Sequence, residues 1–301
     1  MTFNVRGCGN SIKKGRICQL LNKGKAVMCF LQETKVEVMT DDIVKSLWGS
    51  MAEVEWSAKG SDGRSGGILI MWRKNVITPV CSFMGNGYLG INASYRGKNC
   101  YFINVYSPCF CADKRKLWYD LLLLKSRWIK GEWIVRGDFN AVKFVVERRG
   151  RIDGGRRGVM EDFNSFINLI ELVDVLVLGC IHTWINSSGS ASSRLDRFLI
   201  SDGIIQWWKI VAQCSGSRDI SDHRPVLIKT SNLDWGPKPF KVFNTWFQHK
   251  DFICFVKSAW DSFHVRGKKF FVIREKFRLL KEKLFWWNKN VFGWVDLQIE
   301  E

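Results

Sequence analysis

The chain has 301 residues and carries 46 Lys and Arg against 29 Asp and Glu, a formal net charge of +17. With 46% hydrophobic and 25% charged residues it has the composition of a globular protein, which excludes a disordered chain, a collagen or a coiled-coil rod. The length predicts about two domains, or one large domain with an appendage. The charge indicates a polyanionic partner: nucleic acid first, then an anionic membrane surface or an inositol phosphate.

Ten cysteines are scattered without a CxxC pair, and only four histidines are present. This pattern favours reduced thiols in a reducing compartment over disulfides or a zinc site. The first twenty residues are polar and basic, unlike a signal peptide. No apolar run approaches the roughly 20 residues that span a bilayer. We therefore expect an intracellular protein with no membrane partner.

In chain order, short apolar runs alternate with amphipathic stretches. The predicted strands are Phe3–Val5, Ala26–Leu31, Ile68–Trp72, Cys100–Tyr106, Trp133–Arg136, Arg194–Ile200 and Pro225–Ile228. The predicted helices are one around Ile17–Leu21, then Lys114–Trp128 and Met160–Leu172. This alternation predicts an α/β layered fold. Polar residues cluster where the strands end, which is where α/β sheets gather ligands.

The composition changes near residue 232, where the segment 231–239 is rich in Gly, Pro and Asn. We therefore predict an α/β domain over 1–232 and a helical segment over 233–301. Six apolar residues in that segment are spaced 4-3-4-3-4, as on one helix face. They are Ile273, Phe277, Leu280, Leu284, Trp287 and Val291. This stripe could pack on a helix around Phe252–Trp260, on another domain, or on a second copy.

Two strand ends carry candidate catalytic or metal-binding groups. Glu33 follows a hydrophobic strand, where a carboxylate is costly unless it is paired or binds a metal. Asp138 and Asn140 lie two residues apart in the sequence GDFNA, so an extended backbone would direct both to one face. An Asx-rich turn is the structural alternative for this pair.

A second pair of segments carries an aspartate and a histidine. Asp222 and His223 lie shortly before Pro225. This proline favours an extended backbone at the preceding residue, Arg224, at the entry to the strand that follows. Asp196 lies in an otherwise apolar strand, and a buried aspartate needs a hydrogen-bonding partner such as a histidine. A simple polar loop is the alternative for residues 221–225.

Taken together, six ordered segments resemble the endonuclease/exonuclease/phosphatase superfamily, which has the DNase I-like fold. They are NVRG (4–7), LQETK (31–35), NVYSP (104–108), GDFNA (137–141), RLDRF (194–198) and SDHRP (221–225). The resemblance implies an α/β protein, a four-layer sandwich of two mixed sheets flanked by helices, with a C-terminal helical appendage. These segments lie in order across residues 3–228.

Finer matches resemble the endonuclease domain of plant LINE-type non-LTR retrotransposons. They lie at residues 147–150, 160–163 and 182–186, and the tail from 236 to 293 is similar to the connector that precedes the reverse transcriptase of such elements. We expect that reverse transcriptase downstream in an intact element; it is absent from this chain. Arg6 stands where base-excision relatives carry an acidic residue, and retrotransposon endonucleases commonly share this arginine.

The resemblance implies hydrolysis of a phosphodiester with Mg²⁺, or with Mn²⁺ in its place. The implied metal ligands are Glu33, Asn4 and Asp222. The implied catalytic residues are Asp138, Asn140, His223, Asp196 and Tyr106. Asp138 would orient or deprotonate water with help from Asn140, and Tyr106 would donate to the phosphate. His223 would face the phosphate, with Asp196 fixing its tautomer and raising its pKa.

Basic residues crowd the glycine-rich stretch after GDFNA and predict a loop that grips DNA phosphates. The candidate contacts are Arg148, Arg149, Arg151 and Arg156. A solvated loop is the alternative. The predicted function is a nuclear DNA-nicking endonuclease that leaves a 3′-hydroxyl. The alternatives are a phosphatase or phosphodiesterase on a non-nucleic-acid substrate, such as an inositol phosphate or sphingomyelin, and an inactive DNA-binding remnant.

Overall fold

Two mixed β-sheets stack face to face at the centre of the fold. The computed structural model describes residues 1–63, 65–128, 130–150, 157–230, 246–247 and 249–292. The strands are β1 (Thr2–Asn4), β2 (Met28–Gln32), β3 (Val54–Asp62), β4 (Ser65–Arg73), β5 (Ile77–Gly85), β6 (Tyr88–Tyr95), β7 (Lys98–Tyr106), β8 (Glu132–Asp138), β9 (Arg148–Arg149), β10 (Val173–Asp174), β11 (Val177–Leu178), β12 (Trp184–Ile185), β13 (Ser192–Ser193), β14 (Asp196–Ile200), β15 (Ile210–Ser215) and β16 (Val226–Thr230).

The first sheet has the order β11-β15-β16-β1-β2-β4-β3, and the second has the order β10-β14-β8-β7-β6-β5. A small third sheet, β12-β13-β9, accompanies them. Within each main sheet a parallel pair, β1 with β2 and β7 with β8, lies between antiparallel neighbours. The strands of each pair therefore end at the same edge of their sheet.

Helices cover the outer face of each sheet and complete four layers. The helices are α1 (Ser11–Lys23), α2 (Asp41–Trp48), α3 (Cys111–Arg127), α4 (Arg157–Leu169), α5 (Asp202–Trp207), α6 (Phe252–Ser262) and α7 (Lys269–Trp287). Apolar side chains of α1 and α2 pack on the first sheet, and those of α3 and α4 pack on the second. The predicted four-layer α/β sandwich is confirmed.

Strand β2 shows how the sequence builds these layers. All five of its residues are buried. Because side chains alternate along a strand, Met28 and Phe30 enter the core between the two sheets, while Cys29 and Leu31 enter the core beneath α1 and α2. A continuous apolar run is therefore required for a strand that is buried on both faces.

The chain divides into two compact units, Met1–Leu233 and Asp234–Glu301. In the second unit, Leu280, Leu284 and Trp287 pack with α6, one of the partners that the sequence offers for the apolar stripe. Ile273 and Phe277 remain about half exposed, at 51% and 60%. The functional division at residue 232 stays a prediction.

All ten cysteines are free thiols, as the scattered pattern predicts. Among the described residues, no helix is long and apolar enough to cross a bilayer.

Candidate active site

One edge of the sandwich collects polar strand ends from both sheets. Asn4 ends β1 and Glu33 follows β2 in the first sheet, while Tyr106 ends β7 and Asp138 ends β8 in the second. Asp196 begins β14, which runs antiparallel to β8, and its backbone lies directly opposite Asp138. Residues distant in sequence are thereby brought to one place.

These strand ends surround a cavity of about 360 Å³. Its polar lining comprises Asn4, Arg6, Glu33, Tyr106, Lys114, Asp138, Asn140, Arg148, Ser193 and His223. Two of the predicted catalytic and metal-binding residues do not line it: Asp196 lies behind His223, and Asp222 lines a neighbouring shallow cavity with Arg6.

His223 is held between two aspartates. It is only 2% exposed, and its Nδ1 lies 2.8 Å from Oδ2 of Asp196. Its other ring nitrogen, Nε2, lies 3.7 Å from Oδ2 of Asp138. Burial by itself would lower the pKa of His223, but the two carboxylates outweigh burial and raise it to about 9. The ring is therefore an imidazolium at neutral pH, with Nε2–H free to donate.

Asp196 is itself fixed by the chain around it. The hydroxyl Oγ1 of Thr183 accepts hydrogen bonds of 3.0 Å from the backbone N–H groups of Leu195 and Asp196. Asp196 is 1% exposed. Its carboxylate thus has a fixed direction toward His223, which sets the orientation of the ring.

Asp138 is buried and hydrogen-bonded on both oxygens. The side-chain amide of Asn4 donates to Oδ2 at 3.0 Å, and the backbone N–H of Asn140 donates to Oδ1 at 2.9 Å. Burial, with a contribution from Asp196, raises the pKa of Asp138 to about 6, while His223 opposes the shift. Such a carboxylate is ionised at neutral pH yet basic enough to take a proton.

The predicted extended backbone from Asp138 to Asn140 is wrong. The strand ends at Asp138, and Asn140 adopts a left-handed conformation with φ 47°. Because the Asp138 side chain accepts from the Asn140 N–H, the segment is the Asx-type turn that was the alternative. The Asn140 side chain instead donates to the carbonyl of Ser107 at 2.9 Å. Gly137 is required here, since a Cβ would lie 1.9 Å from the Val105 carbonyl oxygen.

Glu33 and Asp222 meet at Arg6. The Nε of Arg6 lies 3.6 Å from Glu33 Oε2 and 3.1 Å from Asp222 Oδ1, and Lys35 Nζ lies 3.2 Å from Glu33 Oε1. The indole N–H of Trp184 donates to the other oxygen of Asp222 at 3.0 Å. Glu33 and Asp222 thus supply hard oxygen donors of the kind that Mg²⁺ and Mn²⁺ take. These oxygens therefore fit such an ion. Arg6 and Lys35 would compete with the ion for the same carboxylate oxygens.

A second group could hold a metal by proximity alone. Asp138, Asp196 and His223 present ligand atoms within 4.8 Å of one another. However, the Asp196–His223 contact at 2.8 Å is a hydrogen bond, and a protonated imidazole cannot ligate. In this structure the three residues therefore suit proton chemistry, whereas the carboxylate oxygens of Glu33 and Asp222 suit a hard cation.

Tyr106 and Lys114 add donors to the cavity. Burial, reinforced by the carboxylates of Glu33 and Asp138, raises the pKa of Tyr106 well above its ordinary value, so its hydroxyl stays protonated. Lys114 donates to the Asn140 carbonyl at 2.8 Å. The sequence analysis missed Lys114, although its spacing places a cation on the buried stripe of α3, with Leu117.

The basic loop is described only in part. Arg148 lines the cavity, and its Nε donates to Ser193 Oγ at 3.4 Å, while Arg149 is exposed. Both belong to β9, which pairs with β13. Arg151 and Arg156 lie outside the described residues.

A buried ring of four charges stands behind this loop. Arg194 and Arg197 each bridge the carboxylates of Glu147 and Asp174, with distances of 2.6–2.8 Å for three of the four contacts. The fourth contact joins Arg197 to Glu147. Because Arg197 directly follows Asp196, the ring fixes the strand that carries the partner of the histidine.

We expect Glu147→Gln to destabilise the protein by about 3–5 kcal/mol, since it leaves buried guanidinium charge uncompensated. Urea unfolding measures this loss, and Asp162→Asn, which breaks the exposed pair with Arg115, should cost about 1 kcal/mol or less. The arginine partners hold the pKa of Glu147 at about 2 despite its burial. The contribution of ionised Glu147 to the free energy of unfolding is therefore complete above the ordinary pKa of a glutamate, and it disappears as the pH falls toward 2. Equal losses for the two variants would contradict a structural role for the ring.

The comparisons with known proteins agree with this geometry. A model of the endonuclease/exonuclease/phosphatase family matches residues 1–223. The chain belongs to this family. Members are hydrolases of phosphodiester bonds and of phosphate esters, generally dependent on a divalent metal. None of the curated proteins compared with this chain matches it significantly.

Solved structures similar to this family member include three at 16% identity, each covering 75% of this chain. They are the AP endonuclease LMAP from Leishmania major (TM-score 0.58, 85% of that chain), an endonuclease/exonuclease/phosphatase from Bacteroides vulgatus (TM-score 0.57, 95% of that chain) and a humanized D. rerio TDP2 (TM-score 0.53, 96% of that chain). At this identity they establish the fold alone.

Proposed function

We propose that this protein is a Mg²⁺-dependent endonuclease that nicks DNA and leaves a 3′-hydroxyl, as the endonuclease domain of a LINE-type non-LTR retrotransposon does. The observation that carries the proposal is the pairing of buried Asp138 with imidazolium His223, held by Asp196, in a cavity that also exposes the oxygens of Glu33. A nucleophile-activating base and a cationic donor thus lie side by side, 3.7 Å apart, on the wall of the cavity that a phosphate would enter.

In the proposed reaction, Asp138 accepts a proton from a water molecule whose oxygen attacks phosphorus. The phosphorus–O3′ bond breaks, and the O3′ leaving group takes a proton from solvent water and ends as a hydroxyl, while Asp138 later returns its proton to solvent. His223 Nε2–H and the Tyr106 hydroxyl donate to the phosphoryl oxygens, where charge develops. Bound Mg²⁺ would add Lewis-acid stabilisation of that charge. Glu33, Asn4 and Asp222 would hold it.

DNA as the substrate is supported by charge. The whole chain carries +17, and Arg148 brings a guanidinium to the cavity wall beside exposed Arg149. Guanidinium groups suit phosphate contacts because of their fork of donors. The nucleus is the proposed location because chromosomal DNA is there.

Nicking of supercoiled plasmid, with Mg²⁺ and with EDTA, tests the proposal. We expect open-circular product only with the metal, and the nick should be extended by a DNA polymerase without prior phosphatase treatment, which shows a free 3′-hydroxyl. Turnover of an inositol phosphate without nicking would instead identify the chain as a phosphatase. Salt-dependent DNA binding without any turnover would identify an inactive remnant.

The basic loop makes a separate prediction. Replacing Arg148 and Arg149 by Gln should weaken binding to duplexes of every sequence and flatten the dependence of log K on log salt by about 0.9 for each phosphate that the variant no longer neutralises. Fluorescence anisotropy between low and moderate salt measures the slope. Lys74→Gln serves as control, because this exposed lysine follows β4 at the other end of the first sheet. An unchanged slope in the loop variant would favour the solvated loop instead.

A further inference from the structure

A second cavity, of about 350 Å³, lies at the other end of the two sheets from the active site. It is lined by Met28 at the start of β2 and Ile134 near the start of β8, whereas the active site collects the ends of those strands. Ile200 and Thr230, the last residues of β14 and β16, also line it. No step of the proposed hydrolysis uses this cavity.

Arg136 brings an unpaired charge into the cavity wall. Arg136 is only 6% exposed. Its guanidinium carbon lies 3.1 Å from the ring centroid of Phe30 and 5.0 Å from that of Phe198. Its polar contact is a weak one, to Met28 Sδ at 3.9 Å, and its Nε has no partner. Within the described part of the chain, no carboxylate forms an ion pair with it.

An isolated buried guanidinium is costly, because burial removes its hydration and no protein group replaces it. Arginine does not escape this cost by losing its proton at neutral pH. Because Arg136 stays charged in this buried position, we expect its partner to be an anion that enters the cavity from solvent.

Aromatic side chains form another part of the wall. The ring of Trp208 lies 4.8 Å from that of Tyr95 and is stacked 6.4 Å from that of Phe102, and all three residues line the cavity. The indole N–H of Trp208 is buried without a partner. Tryptophan normally satisfies this donor when it is buried, so the wall offers a second unused hydrogen-bond donor.

The lining has a single sign of charge. Lys25, Arg96 and Lys209 are exposed residues that line the cavity with Arg136, and none of the described residues that line it is acidic. One-sided charge around a low-dielectric cleft concentrates anions. The volume is within the range of small-molecule sites.

We propose that this cavity binds a small organic anion in which a phosphate monoester is joined to a planar aromatic ring, the size class of a nucleoside monophosphate. Arg136 binds the phosphate, with Trp208 as the second donor, and the aromatic wall contacts the ring. The site is independent of the proposed hydrolysis and does not require it.

Binding of dAMP to the full chain in EDTA, followed by tryptophan fluorescence and by calorimetry, tests the proposal. We expect saturable binding that Arg136→Met weakens at least tenfold and Trp208→Phe weakens several-fold. Arg115→Met, which removes an exposed guanidinium, should leave the affinity unchanged. Arg136→Met should also raise the Tm without ligand, because it removes an unpartnered charge while keeping an unbranched apolar chain in place of the aliphatic part of the arginine.

Two further measurements test where dAMP binds and which parts of the ligand are recognised. Asp138→Asn should retain dAMP binding; loss of binding in Asp138→Asn with retention in Arg136→Met would place dAMP in the active site and overturn the proposal. Deoxyadenosine and inorganic phosphate should each bind more weakly than dAMP, and phosphate equal to dAMP would remove the role of the aromatic wall. If Arg136→Met fails to fold, an unchanged affinity in Trp208→Phe overturns the proposal by itself, and a several-fold loss there supports it.

Discussion

His223→Ala is expected to lower the nicking rate by about 10²- to 10⁴-fold, the usual contribution of a positioned proton donor. The affinity for DNA should change little, because the ring interacts mainly with charge that develops in the transition state. His223 is buried between Asp196 and Asp138, so its removal leaves in place the basic residues proposed to contact the DNA backbone. Single-turnover nicking and anisotropy measure the two effects separately.

The partner residue should behave as part of the same unit. Asp196→Asn should lose less activity than His223→Ala, since the ring remains but its orientation and charge are no longer fixed. The double variant should be no worse than His223→Ala alone, and fully additive losses would contradict the pairing. His264→Ala is the matched control, because this histidine is exposed and lies in the second unit.

Glu33→Gln is expected to reduce nicking by orders of magnitude at limiting Mg²⁺ while the protein stays folded. Glutamine preserves the shape of the side chain but removes the negative charge that would hold a cation beside Arg6 and Lys35. Titration of Mg²⁺ against nicking rate should show a midpoint shifted to higher concentration, and circular dichroism should be unchanged.

Glu37→Gln provides a control from the same loop, because Glu37 is exposed. It should leave both the rate and the midpoint as they are. An unaltered Mg²⁺ midpoint in Glu33→Gln would exclude this carboxylate as a metal ligand and direct attention to the cluster of Asp138, Asp196 and His223.

The sequence predicts the strands that form continuous apolar runs and misses two edge strands with mixed faces. It also misses the buried strand β6, whose apolar residues are interrupted by Gly90, Asn92 and Ser94. Strands β2 and β8 are buried along nearly their whole length, so they appear as continuous hydrophobic runs. Strand β5 is mostly exposed and contains Pro79, and β3 carries charged residues. Their positions at the sheet edges explain why burial leaves so weak a signal in their sequences.

The active-site contacts were likewise predictable only in part from the sequence. The pairing of Asp196 with a histidine follows from the cost of an unpaired buried carboxylate, and the structure contains that hydrogen bond. The ring around Glu147 could not be predicted, because in sequence this glutamate neighbours Arg148 and Arg149, whereas its partners lie about 50 residues away. Sequence neighbours on a loop compete poorly with buried partners, which offer a lower dielectric and fixed geometry.

The hydrogen bond from Asn4 to Asp138 joins one sheet to the other. Buried Asn104 of the second sheet likewise donates to the carbonyls of Leu31 and Leu69 in the first. The reactive geometry therefore exists only while two separately hydrogen-bonded layers keep their mutual alignment. A small displacement of one sheet relative to the other would abolish activity although the secondary structure of the protein stayed intact. Conservative changes in the core between the two sheets would then abolish activity without any substitution of a catalytic side chain.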